Sequence, residues 1–226
     1  MLKKAIFISL MVFCAVPAKA EFIITSAILE FTKDGPRQQN IELVSRSKDN
    51  DYIVTEVNEI IDPNTPQEKK VPVTDAVSGR LLVTPDKTIL SGGNRRTMRF
   101  VLLSEPDQQE HIYRVAIKPV VKGVDNDSKV GLKVLLGYEV LVIIRPVQMQ
   151  PSYSARREGK KFIATNNGNT NILFENGQQC STAENCKLPP VLRVYPGQTD
   201  QVDLPFDMPL IYSVWDGANV TEKRFE

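Results

Sequence analysis

Residues 130–146 read V-G-L-K-V-L-L-G-Y-E-V-L-V-I-I-R-P. In an extended chain Val130, Leu132, Val134, Leu136, Tyr138, Val140, Val142 and Ile144 share one apolar face. β-Branched and aromatic residues crowd the second half, which argues for strand over helix. At roughly 3.3 Å per residue the segment would span about 50 Å, whereas ordinary strands run to about 5–6 residues. One sandwich core does not easily bury so long a row. Either the strand bends between two sheets, or part of its face is kept for another molecule. Gly131 and Gly137 interrupt it, and glycine inside a strand marks a bulge or a close backbone approach.

The first twenty residues do not belong to that fold. Lys3 and Lys4 form a positive start, residues 5–16 are apolar and uncharged, and Ala18-Lys19-Ala20 is a small-x-small site. This is the pattern of a secretory signal peptide, with a mature chain from Glu21. Removing it leaves 25 basic against 27 acidic side chains, so there is no electrostatic footprint for nucleic acid. No later apolar run reaches the roughly 20 residues of a membrane helix. The expectation is an exported, soluble protein with neither nucleic-acid nor membrane partners. Cys180 and Cys186 are the cysteines left, and an oxidising compartment with this short spacing favours a disulfide between them. Metal binding is the weaker alternative: the one histidine, His111, is distant in sequence, and two thiols do not make a structural zinc site.

About 206 mature residues suit one large or two small domains. Short alternating segments recur between turn residues, as expected of all-β sandwiches. Residues 22–31, 40–45, 51–61, 97–103 and 110–119 read as strands of a first unit. Pro146 ends the long strand and stiffens the chain, placing a domain boundary there: 21–146 and 147–226. In the second unit residues 160–164 and 170–175 flank Asn166-Asn167-Gly168-Asn169, which predicts a hairpin.

Catalytic signatures are missing. There is no G-x-S-x-G, no P-loop and no G-x-G-x-x-G after a strand. A Ser-His-Asp arrangement could use only His111, which sits in an apparent strand beside Tyr113 and reads as structural. Asp125 and Asp127 read as solvated loop acids, and Arg95-Arg96 as a solvated turn. The expectation is a non-enzymatic protein without cofactor or metal. What remains is binding, and an over-long apolar strand suits strand addition.

One order of motifs carries a resemblance. Leu82-Val83-Thr84-Pro85, a glycine turn, Met98-Arg99-Phe100, Glu110 followed by Tyr113-Arg114-Val115, and the alternating strand ending in Ile144-Arg145-Pro146 resemble the periplasmic chaperones of pilus assembly, the PapD-like family. The Tyr-Arg-Val motif, the Asn-Asn-Gly-Asn turn and the paired cysteines are most similar to its CfaA-like branch, the chaperones of class 5 (alpha) fimbriae. The resemblance implies two immunoglobulin-like β-sandwich domains in a boomerang arrangement. It implies donor-strand complementation: the chaperone lends a strand to an incomplete fimbrial subunit until an outer-membrane usher exchanges it. The donor residues fall on Leu132, Val134 and Leu136, with Val130 as a fourth. Partners implied are fimbrial subunits, the usher, and a second copy that self-caps the free chaperone.

The family's buried interdomain ion network maps onto Glu110, Arg145 and Asp216. Its better-known members also anchor the subunit's terminal carboxylate with an arginine on the first strand and a lysine on the long one. Here those positions are Ile28 or Leu29, and Leu141, none of them basic. A carboxylate still calls for a cationic donor, best an arginine, so Arg114 and Arg99 are the anchor candidates, with an ordinary structural role as the alternative. The competing functional reading is a two-domain pilin or adhesin. Such a protein should carry a long N-terminal donor extension, whereas this chain starts a strand close to Glu21.

Overall fold

The computed structural model describes residues 22–74, 79–120 and 135–226. The expected signal segment and three of the expected donor residues, Val130, Leu132 and Val134, lie outside that range. Within it, all regular structure is β-strand. Two immunoglobulin-like sandwiches result.

The first is built from β1 (Phe22–Ile24), β2 (Ile28–Phe31), β3 (Gln38–Ser45), β4 (Asp51–Ile61), β5 (Lys69–Pro72), β6 (Leu81–Thr84), β7 (Lys87–Leu90), β8 (Arg95–Leu102), β9 (His111–Val120) and β10 (Tyr138–Ile144). One sheet runs β1-β3-β8-β6, and the facing sheet runs β2-β10-β9-β4-β5, with β7 also paired to β4. Alternation fills the space between them: Phe22, Phe31, Leu43, Ile53, Met98, Phe100, Tyr113 and Val115 point inward from both sheets. Each such side chain contributes roughly 1.5–3 kcal/mol by leaving water.

The single strand expected over residues 22–31 is two strands in different sheets. Thr25 still follows β3: its amide donates to Glu42 O at 3.1 Å, and its Oγ1 accepts the Glu42 amide at 2.9 Å. The chain then crosses, with Ser26 Oγ donating to Ile28 O at 2.8 Å, and β2 joins β10 in parallel. The apolar run of residues 22–31 hides this break because both halves are buried, each against its own sheet.

Among the described residues the long apolar segment is a strand only from Tyr138. β10 begins at Tyr138, directly after Gly137, and residues 135–137 belong to no strand. At Gly137 a Cβ would lie 2.9 Å from Ile117 O, so backbone packs against backbone there. Val140, Val142 and Ile144 are fully buried in the first core.

The second sandwich comprises β11 (Tyr153–Glu158), β12 (Lys161–Asn166), β13 (Ile172–Thr182), β14 (Asn185–Lys187), β15 (Leu192–Val194), β16 (Thr199–Asp203), β17 (Leu210–Trp215) and β18 (Val220–Phe225). Its sheets are β11-β12-β16 and β14-β13-β17-β18, with β15 paired to β13. Phe162 is its hub, edge-on to Phe174 and Phe225 and tilted against Tyr212, with centroids 4.8–5.1 Å away. Such pairs contribute about 0.5–1.5 kcal/mol beyond the area they bury. Tyr212 keeps its hydroxyl satisfied by donating to Pro190 O at 2.6 Å.

The predicted hairpin over residues 160–175 is not one. β12 and β13 lie in different sheets, so the Asn-Asn-Gly-Asn turn carries the chain across the sandwich. Asn166 is fully buried and supplies the reason. Its Nδ2 donates to Thr170 O at 2.8 Å and to Val194 O at 2.9 Å, while its Oδ1 accepts the Gly168 amide at 2.9 Å. The side chain thus replaces the ladder partners that a hairpin would have offered. Asn166→Ala should lose about 2–4 kcal/mol of stability, because it leaves buried groups unpaired. Exposed Asn167→Ala should stay within about 0.5 kcal/mol. Urea unfolding of both variants checks this.

Candidate functional site

The outer face of the sheet containing β9 and β10 is set by register. Glu30, Ile143, Ile112 and Ile60 form one row across β2, β10, β9 and β4. Ile28, Leu141, Arg114 and Asn58 form the next. The first row is closed by the second sandwich: Ile60, Ile112 and Ile143 are buried together with Tyr195, and Leu141 packs against them. Burial raises the Tyr195 pKa, so the ring stays neutral there, and burial lowers that of neighbouring Arg193. The second row is the open rim of this contact. It holds the apolar residues Ile28 and Leu141. Arg114 is their neighbour one strand over.

Arg114 is not free. Its Nη1 donates to Glu68 Oε1 at 2.8 Å and its Nη2 to Glu68 Oε2 at 3.2 Å, a two-pronged pair, and its Nε lies 3.6 Å from Glu139 Oε1. Arg99 lies elsewhere. It is exposed on the other sheet, opposite Asn40 and Thr84, with no ion pair among the described residues. The two candidate arginines therefore face away from each other on opposite sides of one sandwich and cannot hold one carboxylate together. Arg99 shares no row with Ile28 and Leu141.

Arg145 follows β10 and is completely buried. Its Nη1 donates to Glu110 Oε2 at 2.8 Å and to Thr170 Oγ1 at 2.7 Å, and its Nε and Nη2 donate to Glu30 Oε2 at 3.2 Å. Glu110 also accepts from Thr170 Oγ1 at 2.9 Å and from the Asn171 amide and Nδ2 at 3.0 and 2.9 Å. Trp215 stacks on the guanidinium, 4.3 Å from ring centre to Cζ. Sheets of both sandwiches thus meet on one charge.

Asp216 is a correction. It takes no part in this network: its Oδ1 accepts the Ala218 and Asn219 amides at 3.0 and 2.8 Å and caps its own turn. A short acid before Gly217 is better placed for local backbone bonds than for reaching inward. The residue of that turn that does meet Arg145 is Trp215. Sequence reasoning also misses Glu30, Thr170 and Asn171. Glu30 is visible as the one charge in the Ile-Leu-Glu-Phe strand; two small polar residues after a turn give no such signal.

Other expectations find their places. Cys180 and Cys186 stand opposite each other on β13 and β14 and are disulfide-bonded. His111 sits between Glu59 at 3.0 Å and Asp107 at 3.2 Å. Burial works to raise the Asp107 pKa, but the Gln109 amide, His111 and Arg80 outweigh it and hold the carboxyl below its ordinary value. Among the described residues no three His, Cys, Asp or Glu side chains are grouped to hold a metal ion. Asp125 and Asp127 lie outside the described range. Of the residues expected to be donors only Leu136 is described; it is 52% exposed.

Glu110→Ala should cost about 3–5 kcal/mol, since it strands a buried guanidinium. Asp216→Ala, which loses only turn hydrogen bonds, should cost about 1 kcal/mol. Chemical denaturation of the two variants side by side checks the assignment.

Comparison with known proteins places this geometry. No protein-family model matches the chain. It is 32% identical over 179 residues to a CFA/I fimbrial subunit of Escherichia coli, covering 75% of this chain and 74% of that one. It is 29% identical over 184 residues to a CS1 fimbrial subunit of Escherichia coli, covering 78% and 75%. Among solved structures, the class 5 fimbriae chaperone CfaA superposes with a TM-score of 0.62 at 24% identity, covering 91% of this chain and 99% of that one. A chain from the complex of Salmonella enterica SafA pilin with the SafB chaperone gives 0.65 at 13% identity, covering 93% and 97%. At these identities the structures speak for the fold, and the CFA/I relative for the lineage. The chain belongs to the PapD-like family of periplasmic fimbrial chaperones, on the branch that includes that CFA/I protein.

Proposed function

We propose that this protein binds fimbrial subunits in the periplasm by donor-strand complementation and delivers them to an outer-membrane usher. One observation carries the reading. At the even positions running back from β10, exposure rises from 0% at Val140, through half-buried Tyr138, to 52% at Leu136. In the sequence the apolar alternation continues unbroken through Val134, Leu132 and Val130. A row of that kind is a liability unless something pairs with it. An incomplete subunit fold lacking one strand supplies the complementary groove, and backbone hydrogen bonds supply affinity.

In this reading Val130, Leu132, Val134 and Leu136 enter the subunit, while Tyr138 to Ile144 stay in the chaperone. Arg114 receives the subunit's terminal carboxylate, at the rim where Ile28 and Leu141 leave no other cation in the row. Arg145 and Glu110 hold the two sandwiches, divided at residues 146/147, in a fixed relation around that rim. Export by cleavage after Ala20 belongs to the same proposal. The pilin or adhesin alternative is disfavoured by family membership. No step in the scheme requires bond chemistry.

Co-expression with each subunit of a neighbouring fimbrial operon, followed by periplasmic co-purification, tests it. At least one subunit should be recovered as a soluble complex. Leu132→Ser combined with Val134→Ser should abolish recovery while leaving the chaperone's own melting temperature unchanged. Arg114→Ala should reduce it. Failure to stabilise any subunit, or full recovery with the double variant, overturns the proposal.

A further inference from the structure

The guanidinium of Arg114 already holds a carboxylate, supplied by the turn between β4 and β5. Glu68 lies just before β5, 46 residues from Arg114 in sequence. Its Oε2 also accepts the Asn64 amide at 2.9 Å. The turn that presents it is locally fixed. Asp62 and Asn64 have positive φ, 51° and 62°, and the Thr65 and Glu68 amides donate to Asp62 O at 3.3 Å and Thr65 O at 3.0 Å. Lys70 of β5 reaches over the same face to Glu139 of β10 at 3.3 Å. The β4–β5 hairpin is therefore strapped across the rim by two ion pairs, Glu68–Arg114 and Lys70–Glu139.

The burial of the pair separates it from the Arg145 network. Arg114 and Glu68 side chains are 22% and 21% exposed, whereas Arg145 and Glu110 are sealed at 0% and 1%. Solvent and solutes reach the first pair but not the second. A two-pronged guanidinium–carboxylate pair with one extra backbone amide is the arrangement with which a protein binds a foreign carboxylate. Here the bound group is its own.

We propose that Glu68 is a resident occupant of the carboxylate receptor, displaced when a subunit's terminal carboxylate arrives. This rests on the chaperone reading and on Arg114 as anchor. Exchange of one carboxylate for another conserves the ion pair. The incoming terminus then contributes register and discrimination, while the apolar strand contributes most of the affinity. A receptor filled by an internal group binds more weakly in proportion to the fraction of time it stands open. Neutralising Glu68 should consequently tighten carboxylate binding. If Glu68 merely propped Arg114 in position, neutralising it would weaken binding or leave it unchanged.

Glu68→Gln tests this with the hairpin preserved, because the amide oxygen still accepts from Asn64. Acetate is titrated into the wild-type chain and into Glu68→Gln at constant ionic strength, following the Arg114 Nε–H resonance by NMR, with chloride as control. The variant should show a saturable acetate response with a midpoint at least about tenfold lower than wild type, as expected for a receptor about 90% self-occupied. Arg114→Gln in the same background should abolish acetate binding, read by isothermal titration. Equal midpoints, a weaker variant, or a chloride response matching that of acetate would each overturn the proposal.

A second arm uses the last strand of the subunit recovered by co-expression, as a synthetic peptide with a free or an amidated terminus. The preference for the free terminus should be larger in Glu68→Gln than in wild type. An unchanged preference, with the subunit still stabilised by wild-type protein, rejects the Glu68 role and leaves the chaperone function standing. Absence of any stabilised subunit rejects the function itself, whatever acetate does.

Discussion

A guanidinium sealed from water is the constraint on which the arrangement of this protein depends. Arg145 has five N–H donors and no access to solvent, so the fold must bring acceptors to it. Glu30 comes from β2, Glu110 from the start of β9, and Thr170 from the crossover of the second sandwich. Asn171 completes Glu110 in turn. Burying an ion pair adds little net stability, because desolvation offsets most of the attraction. What it does is penalise every arrangement that separates the partners. The apolar contact beside it, Tyr195 on Ile60, Ile112 and Ile143, tolerates sliding. The charge does not. Together they hold the sandwiches in contact and in register.

Arg145 also joins that constraint to β10. It follows β10 directly, and its amide donates to Phe31 O at 2.8 Å. The same strand that runs out toward Leu136 at one end is fastened to both sandwiches at the other. Load applied to the exposed end is carried by a ladder, to β9 on one side and β2 on the other, rather than by a loop.

Much of this is legible in the sequence, for reasons that can be named. Period-2 alternation locates β3, β4, β8, β9 and β10 because each has one dry and one wet face. The glycine at 137 marks where the strand changes character because backbone contact with Ile117 excludes a side chain. The split of residues 22–31 is not legible, since both halves are apolar and alternation carries no record of which sheet buries them. The expected hairpin at residues 166–169 fails for a related reason: its turn residues are the same whether the chain returns to the same sheet or crosses to the other, and only Asn166's buried partners decide. The family resemblance pairs Arg145 with Glu110, but the same resemblance assigns Asp216 a neighbour it does not touch. A carboxylate beside a glycine satisfies its own turn first. Glu68 leaves no trace in pattern at all, because its partner is set by the folding-over of a hairpin.

The early departure of β2 has a further mechanical meaning. β2 pairs with β10 only from Leu141 onward, and the Leu141 amide is met by Ala27 O at 2.9 Å. By the same parity the amide of Glu139 faces outward on that side, beyond the end of β2. The edge of β10 toward β2 is thus a row of rungs filled from Leu141 onward, and Glu139 lies beyond the end of β2. A strand laid there lengthens an existing ladder and need not start one. Its first hydrogen bond meets a backbone whose conformational entropy was surrendered when the chaperone folded. Association of that kind proceeds as the closing of a zipper from a fixed stop.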